Sequence, residues 1–225
     1  MNELPSGPKP LLAWQRKDSM NNKQRIFIFA LPILFITMLG TFQLFGILFE
    51  SQIFDGHEVA WWLGFFVYWP LYCVLFPVMI LGKKEFRTLF AHKRLGFLGL
   101  LFLLFPPIIV FIGRFIMEYD QAGTLGRIIL VFHAFGNGIL EEILWRGVSI
   151  KLFPDSKVWG VYWPSLWFGI WHLAPGSVST TFSPWALMAG AVVFGLSWGM
   201  LAMKTKTIRW SIVSHTLTGL ARVLG

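Results

Sequence analysis

The sequence predicts an all-α fold, a polytopic integral membrane helical bundle of about seven transmembrane helices with eight as the upper count. Two observations predict it. Of the 225 residues, 56% are hydrophobic and only 13% charged, with a mean hydropathy of +0.64, a balance foreign to a soluble domain of this length. Apolar runs of about 20 residues also recur without the polar face that a soluble helix keeps toward water.

The elements follow in order. Residues 1–25 form a polar N-terminal tail with Pro5, Pro8 and Pro10, and 26–225 form one transmembrane domain. The first apolar segment, 26–49, has no small-residue cleavage site behind it and reads as a retained span. The second, 59–82, contains Cys73, the chain's single cysteine, which excludes an internal disulfide and a thiolate metal cluster. The third, 95–117, carries Pro106-Pro107, where a kink is expected and neighbouring helices must satisfy the freed carbonyls. The fourth is 128–150. In the fifth, 158–174, Trp159, Trp163, Trp167 and Trp171 recur every fourth residue as one stripe, read as packing and interfacial anchoring rather than a substrate wall. The sixth, 185–203, holds Gly190, Gly195 and Gly199, which permit close helix approach. The seventh is 208–224.

The net charge of +8 does not indicate nucleic acid, because the basic residues sit in short loops between apolar runs. Lys9, Arg16, Lys17, Lys23 and Arg25 precede the first span, whereas Glu50, Asp55 and Glu58 follow it. Lys83, Lys84, Arg87, Lys93 and Arg94 then precede the third, and Glu118 and Asp120 follow it. This alternation predicts a cytoplasmic N-terminus and an external C-terminus, in a cell membrane expected to be a bacterial inner membrane. The lipid bilayer is thus the first partner, and no nucleic acid is expected.

Within the fourth span, residues 141–147 read Glu-Glu-Ile-Leu-Trp-Arg-Gly. A charge at membrane depth costs a few kcal/mol or more, so such groups face a protein interior or a wet cavity. On a helix Glu142 and Arg146 are four apart and form a pair, while Glu141 is rotated about 100° away and is left for other work. A carboxylate so placed suits a general base. The plainer reading is that both glutamates only tie helices together. Asn137, one turn before Glu141, is placed to hydrogen-bond to it. His57 and His92 fall in loops; His133, His172 and His215 fall in the fourth, fifth and seventh spans, with His133 about 80° around the helix from Glu141.

These residues make a pattern. Glu141-Glu142 with Arg146, Phe168 four before His172, and His215 in the last span resemble the CPBP (Abi) family of intramembrane proteases, which includes the CAAX-processing endopeptidases. The neighbouring Trp145-Arg146-Gly147, Gly169-Ile170-Trp171-His172-Leu173 and Ser214-His215-Thr216-Leu217 fit as well, so the resemblance covers about 128–225. It implies a glutamic-type membrane endopeptidase in which Glu141 and His172 activate a water and His215 helps stabilise the oxyanion. Phe168 would pack its ring, with Glu142, Arg146 and Asn137 in support. The chain departs from the family at Gly219, where a polar residue usually stands four after the last histidine.

The resemblance implies a metal-free mechanism with no cofactor; the alternative is zinc held by Glu141, His172 and His215. The expected substrate is a membrane-anchored or membrane-inserted protein or peptide. A catalytically inactive immunity or scaffold protein and a proton-coupled transporter are the competing functions. A transporter would more often show internal repeats and matched broken helices, and neither is present. On straight helices Glu141 falls near mid-span and His172 near the external end of its own, a mismatch in depth for two groups that share a water.

Overall fold

The computed structural model describes residues 20–50, 56–116, 123–179 and 183–224. Most of the polar tail, together with Asp55, Glu118 and Asp120, lies outside the described residues. Among the described residues the regular structure is helical throughout. In chain order the helices are α1 (Asn22–Phe49), α2 (Gly56–Leu81), α3 (Lys83–Thr88), α4 (Phe97–Ile116), α5 (Gly126–Leu152), α6 (Trp163–Trp171), α7 (Leu173–Gly176), α8 (Pro184–Thr205) and α9 (Arg209–Leu224).

Four of these, α1, α2, α5 and α8, are long and apolar enough to cross a membrane, and α4 adds a shorter apolar helix. By length and composition, then, seven spans are not reproduced among the described residues. The fifth apolar segment is broken: a π-helical turn over Val158–Tyr162, the nine-residue α6, a turn at His172 and the short α7. The last segment is a helix of only 16 residues, and Arg209, Ser211, Ser214, His215, Thr216 and Thr218 make it too polar to join the four.

Helix α1 begins with a capping box. The Asn21 side chain accepts from Gln24 N at 3.0 Å, and Asn21 N donates to Gln24 Oε1 at 2.9 Å. The Gln24 amide also donates to Leu152 O at 2.7 Å, fixing the start of α1 to the end of α5. Phe27, Leu31, Leu34, Met38 and Phe42 form the buried stripe of α1, at spacings of three and four. Much of its remaining surface, including Phe29, Ile33 and Ile47, is exposed apolar side chain, which lipid rather than water would cover.

Helix α5 is the axis of the fold. Helices α2, α6, α8 and α9 all pack against it, and every position from Glu141 to Ile150 is buried. That enclosure is how two carboxylates are tolerated at membrane depth: the helix is surrounded by protein rather than acyl chains. Two π-helical stretches, Asn137–Glu141 and Ile143–Val148, interrupt it, and a third, Trp69–Leu75, lies in α2 beside Pro70 and Pro77. Such bulges concentrate at functional sites. The crossing of α5 and α9 needs Gly138, where a Cβ would fall 2.1 Å from Thr216 Oγ1.

Helix α4 continues through Pro106 and Pro107. A proline cannot donate to the carbonyl four residues back, so Phe102 O and Leu103 O lose their intrahelical partners. Both are taken up from other helices: Ser197 Oγ of α8 donates to Phe102 O at 2.9 Å, and Ser214 Oγ of α9 to Leu103 O at 2.6 Å. The freed carbonyls are re-satisfied as the double proline demanded.

Candidate active site

Glu141 and Glu142 are both fully buried, and their environments differ. Glu142 Oε1 lies 3.1 Å from Arg146 Nη1, the pair that their spacing predicts. The Arg146 guanidinium also stacks over Phe168, 4.2 Å from the ring centroid, and faces Trp198 at 5.2 Å. The same Glu142 oxygen is 3.0 Å from His215 Nδ1, a contact the sequence did not disclose.

Glu141 has no such cation pair. Its Oε1 accepts a hydrogen bond from Trp171 Nε1 at 3.1 Å, and its Oε2 is buried without a hydrogen-bond partner, 3.7 Å from His215 Nε2. His215 therefore stands between the carboxylates, with one ring nitrogen toward each. A separation of 3.7 Å is too long for a good direct bond, and one water beside the two atoms can reach both.

Trp171 is held on its other face by Tyr68, stacked at 3.9 Å between centroids and 24° between planes. Tyr68 in turn accepts from Trp145 Nε1 at 2.7 Å. The lower three members of the tryptophan stripe, Trp159, Trp163 and Trp167, pack edge-to-face on one another against the core, as expected. Trp171 is different, since its indole N–H is spent on the free carboxylate.

Asn137 does not bond to Glu141. Its Oδ1 accepts from Trp69 Nε1 at 3.0 Å, and its Nδ2 lies 3.5 Å from His133 Nδ1. The expected one-turn contact is displaced because α2 and His133 claim the amide, and because the helix between the two residues is π-wound. His133 is enclosed by aromatic rings, with Phe65 at 4.7 Å and Trp61, Trp62 and Trp69 within 5.9 Å.

His172 ends α6. Its Nδ1 is 2.7 Å from Phe168 O; a carbonyl only accepts, so Nδ1 carries the proton and Nε2 of the neutral ring presents a lone pair. Phe168 packs between the two histidines, 4.6 Å from His172 and 6.0 Å from His215 between centroids. His215 also stacks on Trp198 at 3.8 Å. His172 and His215 thus line one cavity of about 330 Å³, with Asn137 and His133 on its wall and mostly apolar side chains such as Phe65, Leu187 and Phe194 around them. Helix α6 ends at His172 rather than running on as a straight span, and His172 shares this cavity with His215.

No three His, Cys, Asp or Glu side chains among the described residues group into a metal-holding set. Of the three residues of the zinc alternative, Glu141 and His215 face each other at 3.7 Å, and the other oxygen of Glu141 is already committed to Trp171.

Residues 124–221 match the family model described as Type II CAAX prenyl endopeptidase Rce1-like. That range contains all the candidate residues, and the likeness drawn from the three motifs holds over it. No curated protein and no solved structure matches the chain.

Proposed function

We propose that this membrane protein, whose residues 124–221 match the Rce1-like type II CAAX prenyl endopeptidases, is an intramembrane endopeptidase acting on a membrane-anchored or membrane-inserted protein or peptide. The observation that carries the reading is Glu141 Oε2, a buried carboxylate oxygen without a hydrogen-bond partner, 3.7 Å from the Nε2 of His215, which lines one cavity with His172. Glu142 Oε2 is unpartnered too, so what singles out Glu141 is that its unpaired oxygen faces the outer ring nitrogen of His215.

The chemistry follows from the atoms. A water held by Glu141 Oε2 and the lone pair of His172 Nε2 attacks the scissile carbonyl carbon, and Glu141 takes its proton. The carbonyl oxygen becomes the oxyanion, which His215 meets through Nε2–H. The C–N bond then breaks, and the proton on Glu141 passes to the leaving amine, so the base is regenerated. Glu142, itself paired with Arg146, holds His215 through Nδ1, and neither takes part in bond making. The mechanism needs no metal, and neither a prenyl group nor a particular sequence is implied by the site itself. In a bacterial inner membrane with the N-terminus cytoplasmic, a leader, tail or sorting signal would be the natural substrate.

Co-expression with candidate membrane-tethered substrates tests this directly. Wild type processes the substrate, whereas Glu141→Ala and His172→Ala lose processing while still accumulating in the membrane. Processing that persists in Glu141→Ala overturns the mechanism.

A further inference from the structure

The oxyanion of such a reaction needs preorganised donors, and one imidazole seldom serves alone. The N–H and O–H groups around the cavity are mostly committed. His172 spends Nδ1–H on Phe168 O and His215 spends Nδ1–H on Glu142. Trp198 Nε1 donates to Ser214 Oγ at 2.9 Å, and Thr218 Oγ1 to Ser214 O at 2.8 Å.

Asn137 is in a different position. An indole N–H can only donate, so the amide atom facing Trp69 must be oxygen, and this bond fixes the amide's orientation. The NH₂ group is thereby set on the other side, where one hydrogen serves His133 Nδ1 at 3.5 Å. No other partner among the described residues takes the second N–H, and Asn137 lines the cavity together with His172 and His215. Asn137 also stands at the crossing of α5 with α9: its neighbour Gly138 lies against Thr216, the residue after His215.

We propose that Asn137 is a catalytic residue whose Nδ2–H donates to the oxyanion alongside His215 Nε2, with Trp69 as the positioning residue that aims it. Helix α9 cannot supply this donor one turn beyond His215, because a Cβ on Gly219 would lie 2.7 Å from the Ala134 Cβ. The donor therefore comes from α5, across the crossing. The proposal rests on the hydrolytic reading above.

The test uses the full chain reconstituted in liposomes, with the substrate found by co-expression. Asn137→Asp keeps an acceptor for Trp69 and nearly the same volume but has no N–H, and Asn137→Ala removes both. Each is expected to lower kcat by about 100- to 1,000-fold with KM changed by less than about threefold. Affinity for a peptide aldehyde of the substrate sequence, whose hydrate mimics the tetrahedral intermediate, should fall with kcat, whereas affinity for the product peptide should hold. Trp69→Phe, which frees the amide to turn over, should lower kcat by about tenfold through the same aldehyde-selective loss.

Asn137 variants that keep kcat within about threefold of wild type, or that lose aldehyde and product affinity equally, overturn the proposal. Failure of the hydrolytic reading looks different: wild type does not cleave, or Glu141→Ala cleaves as wild type does.

Discussion

Trp171 and Glu141 are joined by one hydrogen bond, indole Nε1 to Oε1 at 3.1 Å, and that bond divides the carboxylate into an anchored and an available oxygen. The indole is itself clamped by the Tyr68 ring at 3.9 Å. For the proposed mechanism this matters, because a base held at one oxygen keeps its other oxygen in a single place.

Trp171→Phe keeps the stacked ring and removes the donor. Cleavage should fall by about tenfold or more, while the melting temperature in detergent drops only slightly, since loss of one buried bond costs about 1–3 kcal/mol. Trp171→Ala should instead destabilise by about 3–5 kcal/mol through the cavity it leaves. Parallel cleavage assays and thermal melts separate the two effects.

Arg146 is the counter-charge for a buried carboxylate and an aromatic packing partner at once. Arg146→Ala strands Glu142 and should cost about 3–5 kcal/mol, visible as loss of folded protein in the membrane. The double change Arg146→Met with Glu142→Gln should recover part of the stability. It should not recover activity, because His215 Nδ1 then loses its carboxylate partner.

Gly219→Ala pushes a methyl group to 2.7 Å from the Ala134 Cβ. Overpacking of this kind costs about 1–3 kcal/mol. Adding Ala134→Gly should restore most of the lost melting temperature, a double-mutant coupling that an unrelated mechanism would not produce.

The proposed mechanism makes chelation harmless. EDTA or phenanthroline with the purified enzyme should leave the rate of cleavage unchanged. Activity abolished by chelation and restored by zinc would require another role for Glu141.

How far the sequence disclosed all this varied with the kind of contact. The Glu142–Arg146 pair was legible because it is local, four residues on one helix. The demand for two partners at Pro106-Pro107 was legible too, because a missing N–H is a property of the residue. What remained hidden depended on which helix lies beside which. Trp171 reads as one more member of a stripe until α6 is laid against Glu141, and the use of Asn137 by Trp69 needs α2 beside α5. The π-helical turns also escaped, since spacing arguments assume 3.6 residues per turn throughout. The broken fifth segment shows the same limit: apolar composition marks 158–174 as continuous, yet the backbone turns at His172.

The two carbonyls freed in α4 have a consequence for how the protein is made. Their partners lie 95 and 111 residues further along the chain, in α8 and α9. During synthesis α4 is therefore made with two unmet acceptors, and the second is answered only when α9 docks. Ser214, which answers it, precedes His215, the residue that completes the site. Until α9 docks, Leu103 O lacks its partner and the cavity lacks His215, so one helix settles a packing demand and furnishes a wall of the cavity together.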